Sequence, residues 1–215
     1  MLAKNEVPQL LGKLLAGAVA GVALCVSGCA SGPAPPDHFY RLDVASDKAS
    51  PGACRLPGTL QVDRFQSDAL TDGRQLVYQK DPSSPELGRY AFHLWVSPVS
   101  DLLSQDLASY LGERGVATRV MTSGTSIAPD YTVRGRVVKV QHTLGPKAAA
   151  VLELQLTLTD DRQRKVLLHK AYSASQPANS VADAAKAFGE EAHSIFGEFV
   201  ADCSSRMGGG GTSAE

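Results

Sequence analysis

The most regular pattern of the chain is an alternation of leucines with polar residues between Leu152 and Thr159. Because successive side chains of a β-strand point to opposite faces of a sheet, this pattern predicts a strand with one buried and one solvated face. Its two flanking segments are also strand-like, so we predict strands at 131–142, 148–159 and 164–175. The short connections carry turn-forming residues, which indicates an antiparallel meander.

Two segments repeat apolar residues at helical spacing. In the first, Ser97 is expected to cap the helix, Pro98 to take its first position and Gly115 to end it. The second is predicted at 180–203 with Ser180 as its cap. The apolar face of the first helix comprises Leu103, Leu107, Tyr110 and Leu111. That of the second comprises Val181, Ala184, Ala185, Phe188, Ala192, Ile195, Phe196, Phe199, Val200 and Cys203.

Shorter strand candidates precede the first helix. They lie at 39–44, 59–65, 75–79 and 89–95. The order strands, helix, strands, helix predicts an α+β fold. We expect a mostly antiparallel sheet with two helices packed on one face, in which a C-terminal three-strand meander is followed by a long helix. Trp95 ends the last short strand, and burial under the helix start is favoured over a role as an exposed binding anchor.

The first 28 residues have the pattern of a secretion signal. Lys4 and Lys13 precede an uncharged apolar run of 13 residues at 14–26, which is shorter than the roughly 20 residues of a transmembrane helix. Small residues then lead into Cys29, in a pattern that resembles a bacterial lipobox. Cleavage before Cys29 would leave a cysteine with a diacylglycerol and an N-acyl chain such as palmitate, and multiple chains anchor stably. The alternative is an ordinary secretory signal with a coincidental cysteine.

Composition divides the remaining chain into three parts. We expect a lipidated cysteine and Pro-rich tether at 29–38, a periplasmic α+β domain at 39–206 and a disordered Gly-rich tail at 207–215. Ala30 follows the cysteine where an Asp would resemble an inner-membrane retention mark, so the outer membrane is favoured over the inner one. The formal net charge of −1 does not suit a nucleic-acid-binding protein.

Two cysteines of the expected mature chain, Cys54 and Cys203, are left for a disulfide if Cys29 carries lipid. The periplasm is an oxidising compartment, in which such bonds form and persist. A buried free thiol at Cys203, on the apolar face of the second helix, is the alternative.

We find no catalytic or metal-binding motif in the sequence. The five histidines include no pair at i and i+4 and no HExxH motif, which leaves only a metal site assembled in space. His193, beside Glu190 and Glu191, is expected on a solvated helix face rather than in acid–base catalysis. The segment 124–126 lacks the strand-to-helix elbow of a hydrolase serine. We therefore expect no enzyme activity, no metal and no cofactor.

The order of these features resembles the ABC-type transport auxiliary lipoproteins, which include the PqiC-like subunits of the paraquat-inducible, MCE-containing system. The resemblance rests on Cys29 and its tether, on the strand Phe-Tyr-Arg-Leu-Asp at 39–43 and on Trp95-Val96-Ser97-Pro98 before the first helix. The family typically has Tyr-Tyr where this chain has Phe-Tyr.

The resemblance implies a non-enzymatic periplasmic accessory that docks onto an MCE protein and helps an ABC-driven lipid-transport assembly bridge two membranes. It also suggests a homo-oligomer. The sequence leaves two alternatives open: a lipoprotein that assists an outer-membrane barrel or envelope complex, and a periplasmic hydrolase with a site assembled in space.

Overall fold

The computed structural model describes residues 34–44, 54–124 and 127–208. The chain divides into two compact units, 1–36 and 37–215. Nearly all described residues belong to the second unit. The predicted lipidation site, the first half of the tether and most of the tail lie outside the described residues.

The described part of the second unit contains eight strands and two helices. They are β1 (His38–Tyr40), β2 (Leu56–Val62), β3 (Gln75–Gln79), β4 (Leu87–Trp95), α1 (Val99–Glu113), β5 (Ala117–Thr122), β6 (Tyr131–Thr143), β7 (Ala149–Asp160), β8 (Lys165–Pro177) and α2 (Val181–Gly208). All predicted elements are present with shifted ends, and β5 is an additional strand. The α+β class is therefore confirmed.

The meander is the best-predicted part of the fold. β6 pairs with β7 and β7 with β8, both antiparallel and along nearly their whole lengths. The four alternating leucines of β7 are at most 1% exposed, and the residues between them are only partly buried. The period-two pattern therefore separates a core face from a more accessible face, as predicted.

The sheet as a whole is mixed, so the prediction of a mostly antiparallel sheet is wrong. β1 is parallel to β4, β2 is parallel to both β5 and β6, and β3 is parallel to β6. Outside the meander, only β3 and β4 pair antiparallel among the described strands. Parallel neighbours need a long crossover connection, and α1 lies within the connection from β2 to β5.

The sheet forks at β6. On the edge opposite β7, the first residues of β6, Tyr131 to Val133, pair with β2. On the same edge its last residues, His142 and Thr143, pair with β3. One long strand thus holds two short groups of strands, β2 with β5 and β3 with β4 and β1.

The helix ends follow the sequence in part. In α2 the Ser180 hydroxyl accepts a hydrogen bond from the Asp183 amide at 3.0 Å, which confirms the predicted cap. In α1 the carbonyl of Pro98 accepts the first helical bonds, from Asp101 and Leu102. Pro98 is therefore the cap residue, with no side-chain cap bond, and the prediction for Ser97 is wrong. Gly115, with φ of 62°, follows the end of α1 as expected.

Both helices bury the faces that their spacing predicts, within one hydrophobic core. α1 contacts β5 and β2, α2 contacts β7 and β8, and the two helices contact each other. Trp95 is 2% exposed and its ring packs edge-on against Phe188, with 5.9 Å between the centroids. This confirms its burial, whereas the packing of both helices on one sheet face stays a prediction.

A disulfide between Cys54 and Cys203 connects the chain just before β2 to the last turns of α2. The two Cα atoms are 5.4 Å apart, within the usual range for this bond. Both cysteines are buried.

Candidate binding surface

The face of the meander opposite the leucines presents a patch of polar side chains. On β6 the exposed residues Arg134 and Arg136 lie two positions apart, so they share one face. Their Cα partners on β7 are Thr157 and Gln155, respectively. Directly opposed residues of neighbouring strands have Cβ atoms about 5 Å apart, so these four side chains form one compact patch.

The segment 63–67, which follows β2, forms a wall beside this patch. The Gln66 amide donates to the Gly135 carbonyl at 2.9 Å, and the Val137 amide donates to the Gln66 carbonyl at 2.8 Å. The buried ring of Phe65 packs on Gly135 so closely that a Cβ there would lie 2.4 Å from a ring carbon. Glycine at 135 is therefore what lets this wall approach β6.

Wall and patch enclose an open groove of about 290 Å³, which we call the arginine groove. It is lined by Asp63, Arg64, Gln66, Arg134, Gly135, Arg136, Gln155 and Thr157. Arg134 is paired with Asp63 at 3.3 Å, whereas Arg136 has no ion pair in the described part of the chain. The guanidinium of Arg136 is therefore not neutralised by any carboxylate of the described residues.

Arg64, which also lines the groove, is held by two carboxylates. It pairs with Asp72 at 3.0 Å and, in closer contact, with Asp101. Asp72 also accepts hydrogen bonds from the hydroxyls of Ser100, at 2.8 Å, and Ser67, at 3.0 Å. The bonds from Ser100 and Ser67, together with Arg64, lower the pKa of Asp72. Arg64 thus has a fixed position.

His169 of β8 orients the polar groups on the β7 side. Its Nε2 lies 3.2 Å from Gln155 Nε2, and its Nδ1 lies 2.8 Å from Thr157 Oγ1. With the amide donating, a neutral His169 must accept at Nε2 and donate from Nδ1 to the Thr157 oxygen. The hydroxyl hydrogen of Thr157 then remains available to another acceptor.

The sequence indicates one side of this groove, the strand β6, but not the other. Arg134 and Arg136 alternate with Val133, Gly135 and Val137, which marks them as neighbours on the outer face of a strand. No local pattern predicts that the segment 63–67 lies beside them, because that pairing joins distant parts of the chain.

Three of the five histidines meet elsewhere, in a cluster of aromatic rings. His38 stacks on His93 with 4.9 Å between centroids, and the Tyr40 hydroxyl lies 2.9 Å from His93 Nδ1. The Tyr90 hydroxyl lies 2.9 Å from His142 Nδ1. Burial, and secondarily His38, lower the pKa of His93. No group of three side chains that could hold a metal ion occurs in the described ranges. The cluster is held by ring stacking and by contacts between tyrosine hydroxyls and histidine nitrogens.

The candidate acid–base residues of α2 differ from expectation. Glu191 is fully buried, so its assignment to a solvated face is wrong, whereas Glu190 is exposed and pairs with Lys186 at 3.7 Å. Burial is the main cause that raises the pKa of Glu191 to about 8. His193 packs edge-on against Tyr110, with 5.6 Å between the ring centroids. For the segment 124–126, the last two residues lie outside the described part.

Neither helix of the described segments is long and apolar enough to cross a bilayer.

The family of ABC-type transport auxiliary lipoprotein components matches residues 40–194, which is most of the chain. The chain belongs to this family. The match begins in β1 and ends within α2, so it includes α1, the first half of α2 and every strand that lines the groove. No curated protein matches the chain.

Solved structures share the fold. The crystal structure of protein XCC0632 from Xanthomonas campestris is 19% identical, covers 80% of this chain and 97% of its own, and has a TM-score of 0.68. The crystal structure of an uncharacterized protein is 14% identical, covers 78% of this chain and 99% of its own, and has a TM-score of 0.61. At these identities the similarity concerns the fold alone.

Proposed function

We propose that this family member is a non-enzymatic accessory subunit of an ABC/MCE-type intermembrane lipid transport system, and that it docks onto an MCE protein. The observation that carries the proposal is the family match over residues 40–194, whose description is that of an auxiliary component of ABC-type transport. An auxiliary component supports a transporter without performing its chemistry, which is why the proposal is non-enzymatic.

We also propose that the mature chain is anchored through Cys29 to the periplasmic face of the outer membrane. Cleavage would remove residues 1–28, and the folded domain would begin near β1. The eight residues at 30–37 would span about 25 Å at roughly 3.1 Å each. This tether would keep the domain close to the lipid headgroups. The protein is also expected to form a homo-oligomer. The mass of the delipidated chain, measured alone and with its partner, tests this expectation.

The test is crosslinking and affinity capture from native envelopes, comparing the wild type with Cys29→Ala, followed by mass spectrometry of the captured proteins and of the N-terminal peptide. The proposal expects an acylated Cys29 and co-captured MCE and ABC components in the wild type. Loss of these partners with Cys29→Ala would show that the anchor brings them together.

Each other outcome removes a defined part of the proposal. An unmodified N-terminus would eliminate the anchor, and an acylated one with no transport partner would eliminate the transport role. Specific capture of an outer-membrane barrel protein in place of an MCE protein would favour an envelope-assembly lipoprotein.

A further inference from the structure

We propose that the arginine groove binds a phosphate-type oxyanion. The proposal rests on the geometry of the groove and not on the transport role, so either can fail without the other. The ligand class carries negative charge and several acceptor oxygens, and it is found both as free phosphate and as the phosphodiester of an anionic lipid headgroup.

The first argument is the charge of the groove. Arg136 has no carboxylate partner within the described residues, and Arg134 is only partly neutralised because its pair with Asp63 is 3.3 Å long and its side chain is 58% exposed. A guanidinium presents a planar fork of donors that matches the oxygens of a phosphate. An incoming oxyanion can therefore bind Arg136 directly and compete with Asp63 for Arg134.

The second argument is the convergence of donors. Arg134 and Arg136 lie roughly 7 Å apart along one face of β6, and each is directly opposed by a polar residue of β7 about 5 Å away. Those residues, Thr157 and Gln155, line the same groove. Four side chains thus surround one position, and a tetrahedral group can meet several of them at once.

The third argument is the orientation of the Thr157 hydroxyl. When Nδ1 of His169 donates to the Thr157 oxygen, the Thr157 hydrogen has no acceptor within this network. An oxyanion in the groove would supply that acceptor. With the Gln155 amide nitrogen facing Nε2, this arrangement of protons is that of a neutral His169.

The shape of the groove limits what else it can hold. Its volume of about 290 Å³ is at the lower end for small-molecule sites, and none of its lining side chains is apolar. It therefore suits a headgroup or a free anion rather than an acyl chain or an extended peptide. Because the site is open and contains Asp63, we expect binding to weaken as salt concentration rises.

The experiment uses the full chain in a neutral detergent and a phosphate-free buffer. Inorganic phosphate is titrated while the amide resonance of Gly135 and the Nε–H resonances of the arginines are followed by NMR. Micelles doped with phosphatidylglycerol or with phosphatidylcholine form two further arms. The test variant is Arg134→Gln with Arg136→Gln, and the charge-matched control is Arg119→Gln with Arg164→Gln, two exposed arginines outside the groove.

The proposal expects saturable shifts at the groove in the wild type and the control, with the dissociation constant raised at least about tenfold in the test variant. Response to phosphate alone identifies a free anion as the ligand, and response to phosphatidylglycerol but not phosphatidylcholine identifies an anionic headgroup. Unchanged melting temperatures show that both variants are folded. The proposal is overturned if neither probe shifts the groove resonances, or if the control loses binding as much as the test variant.

Discussion

The two halves of the domain are built in different ways. From β6 to α2, each strand pairs with the next through a short turn, and the closing helix packs on the last two strands. From β1 to β5, most neighbours in the sheet are distant in sequence, and β2 and β3 join the meander through short parallel pairings with β6. Local pairing closes small loops at little entropic expense, whereas the pairings of the first half must close long ones. We therefore expect the first half to depend more on cross-links and close packing.

The largest expected effect is the loss of the bridge between the halves. Replacing Cys54→Ala together with Cys203→Ala should lower the free energy of unfolding by roughly 2–5 kcal/mol, since the bridge closes a long loop in the unfolded chain. Amide hydrogen exchange should rise more in β2 than in β7. Urea unfolding and exchange measured by mass spectrometry check both expectations.

The matched control for this prediction is Cys29→Ala, which removes a cysteine without touching the bridge. Its unfolding should follow the wild type. Two free thiols at Cys54 and Cys203 in the wild-type protein, found by alkylation without reductant, would contradict the prediction.

The second prediction concerns Glu191, a buried carboxyl group in the locally paired half. Glu191 has a pKa near 4.5 in the unfolded chain and about 8 in the folded one. Between these values the unfolded state releases the proton first, so the contribution of Glu191 to folding stability is highest below pH 4.5 and falls as the pH rises toward 8. Glu191→Gln should remove this contribution to the slope and stabilise the domain by roughly 3 kcal/mol at pH 7.

Chemical denaturation of both proteins from pH 4.5 to 8.5 checks the sign of this effect. Glu190→Gln is the control, because it changes the exposed neighbouring carboxylate and should leave the slope in place. A wild-type stability that stays constant or increases over this range would show that Glu191 ionises freely in the folded state.

The third prediction concerns the junction of the two halves. In Gly135→Ala the new methyl group meets the Phe65 ring, so the wall at 63–67 should be displaced and stability should fall by about 1–3 kcal/mol. Gly112→Ala in α1 is the control, and it is expected to increase stability instead of lowering it. Its Cβ would lie 3.8 Å from Val120, and alanine should favour the helix by about 0.5–1 kcal/mol.

Thermal unfolding with circular dichroism ranks these two variants. A crystal structure of Gly135→Ala would show whether Phe65 moves. Equal stability of Gly135→Ala and the wild type would mean that the wall does not depend on this contact.

The smallest predicted effect concerns the N-terminal caps of the two helices. Ser180→Ala should destabilise the domain by about 1 kcal/mol, because it removes the hydroxyl that caps α2. Ser97→Ala should have almost no effect, because the cap of α1 is Pro98 and involves no side-chain bond. Paired urea titrations are sufficient, and an effect of Ser97→Ala as large as that of Ser180→Ala would contradict the structural assignment.

The second half of the domain, from β6 to α2, is also the half whose fold is better predicted from the sequence. The three strands of the meander and both helices are predicted because each has its own period of buried residues. β5 is not predicted, because Ala117–Thr122 has no clear alternation and becomes a strand through its parallel pairing with β2. The mixed character of the sheet was missed for the same reason, since neighbour order is not a local property.

The candidate site divides similarly. The alternation in β6 is that of a strand with Arg134 and Arg136 on one outer face, but the sequence did not single these residues out, because the wall that turns this face into a groove is supplied by a distant segment. For Glu191 the adjacent pair of carboxylates indicated exposure, and the orientation of α2 against the sheet buried one of them.

The sequence by itself determined the periods of the meander and of both helices, the cap at Ser180 and the polar character of one sheet face. These depend on contacts within a few residues, which composition and spacing encode directly. Only the tertiary structure decided which strands meet at β6, that the buried Phe65 needs a glycine opposite it, and that one arginine of the groove has no carboxylate partner among the described residues. Those features arise from surfaces that are far apart in the chain, so no local pattern specifies them.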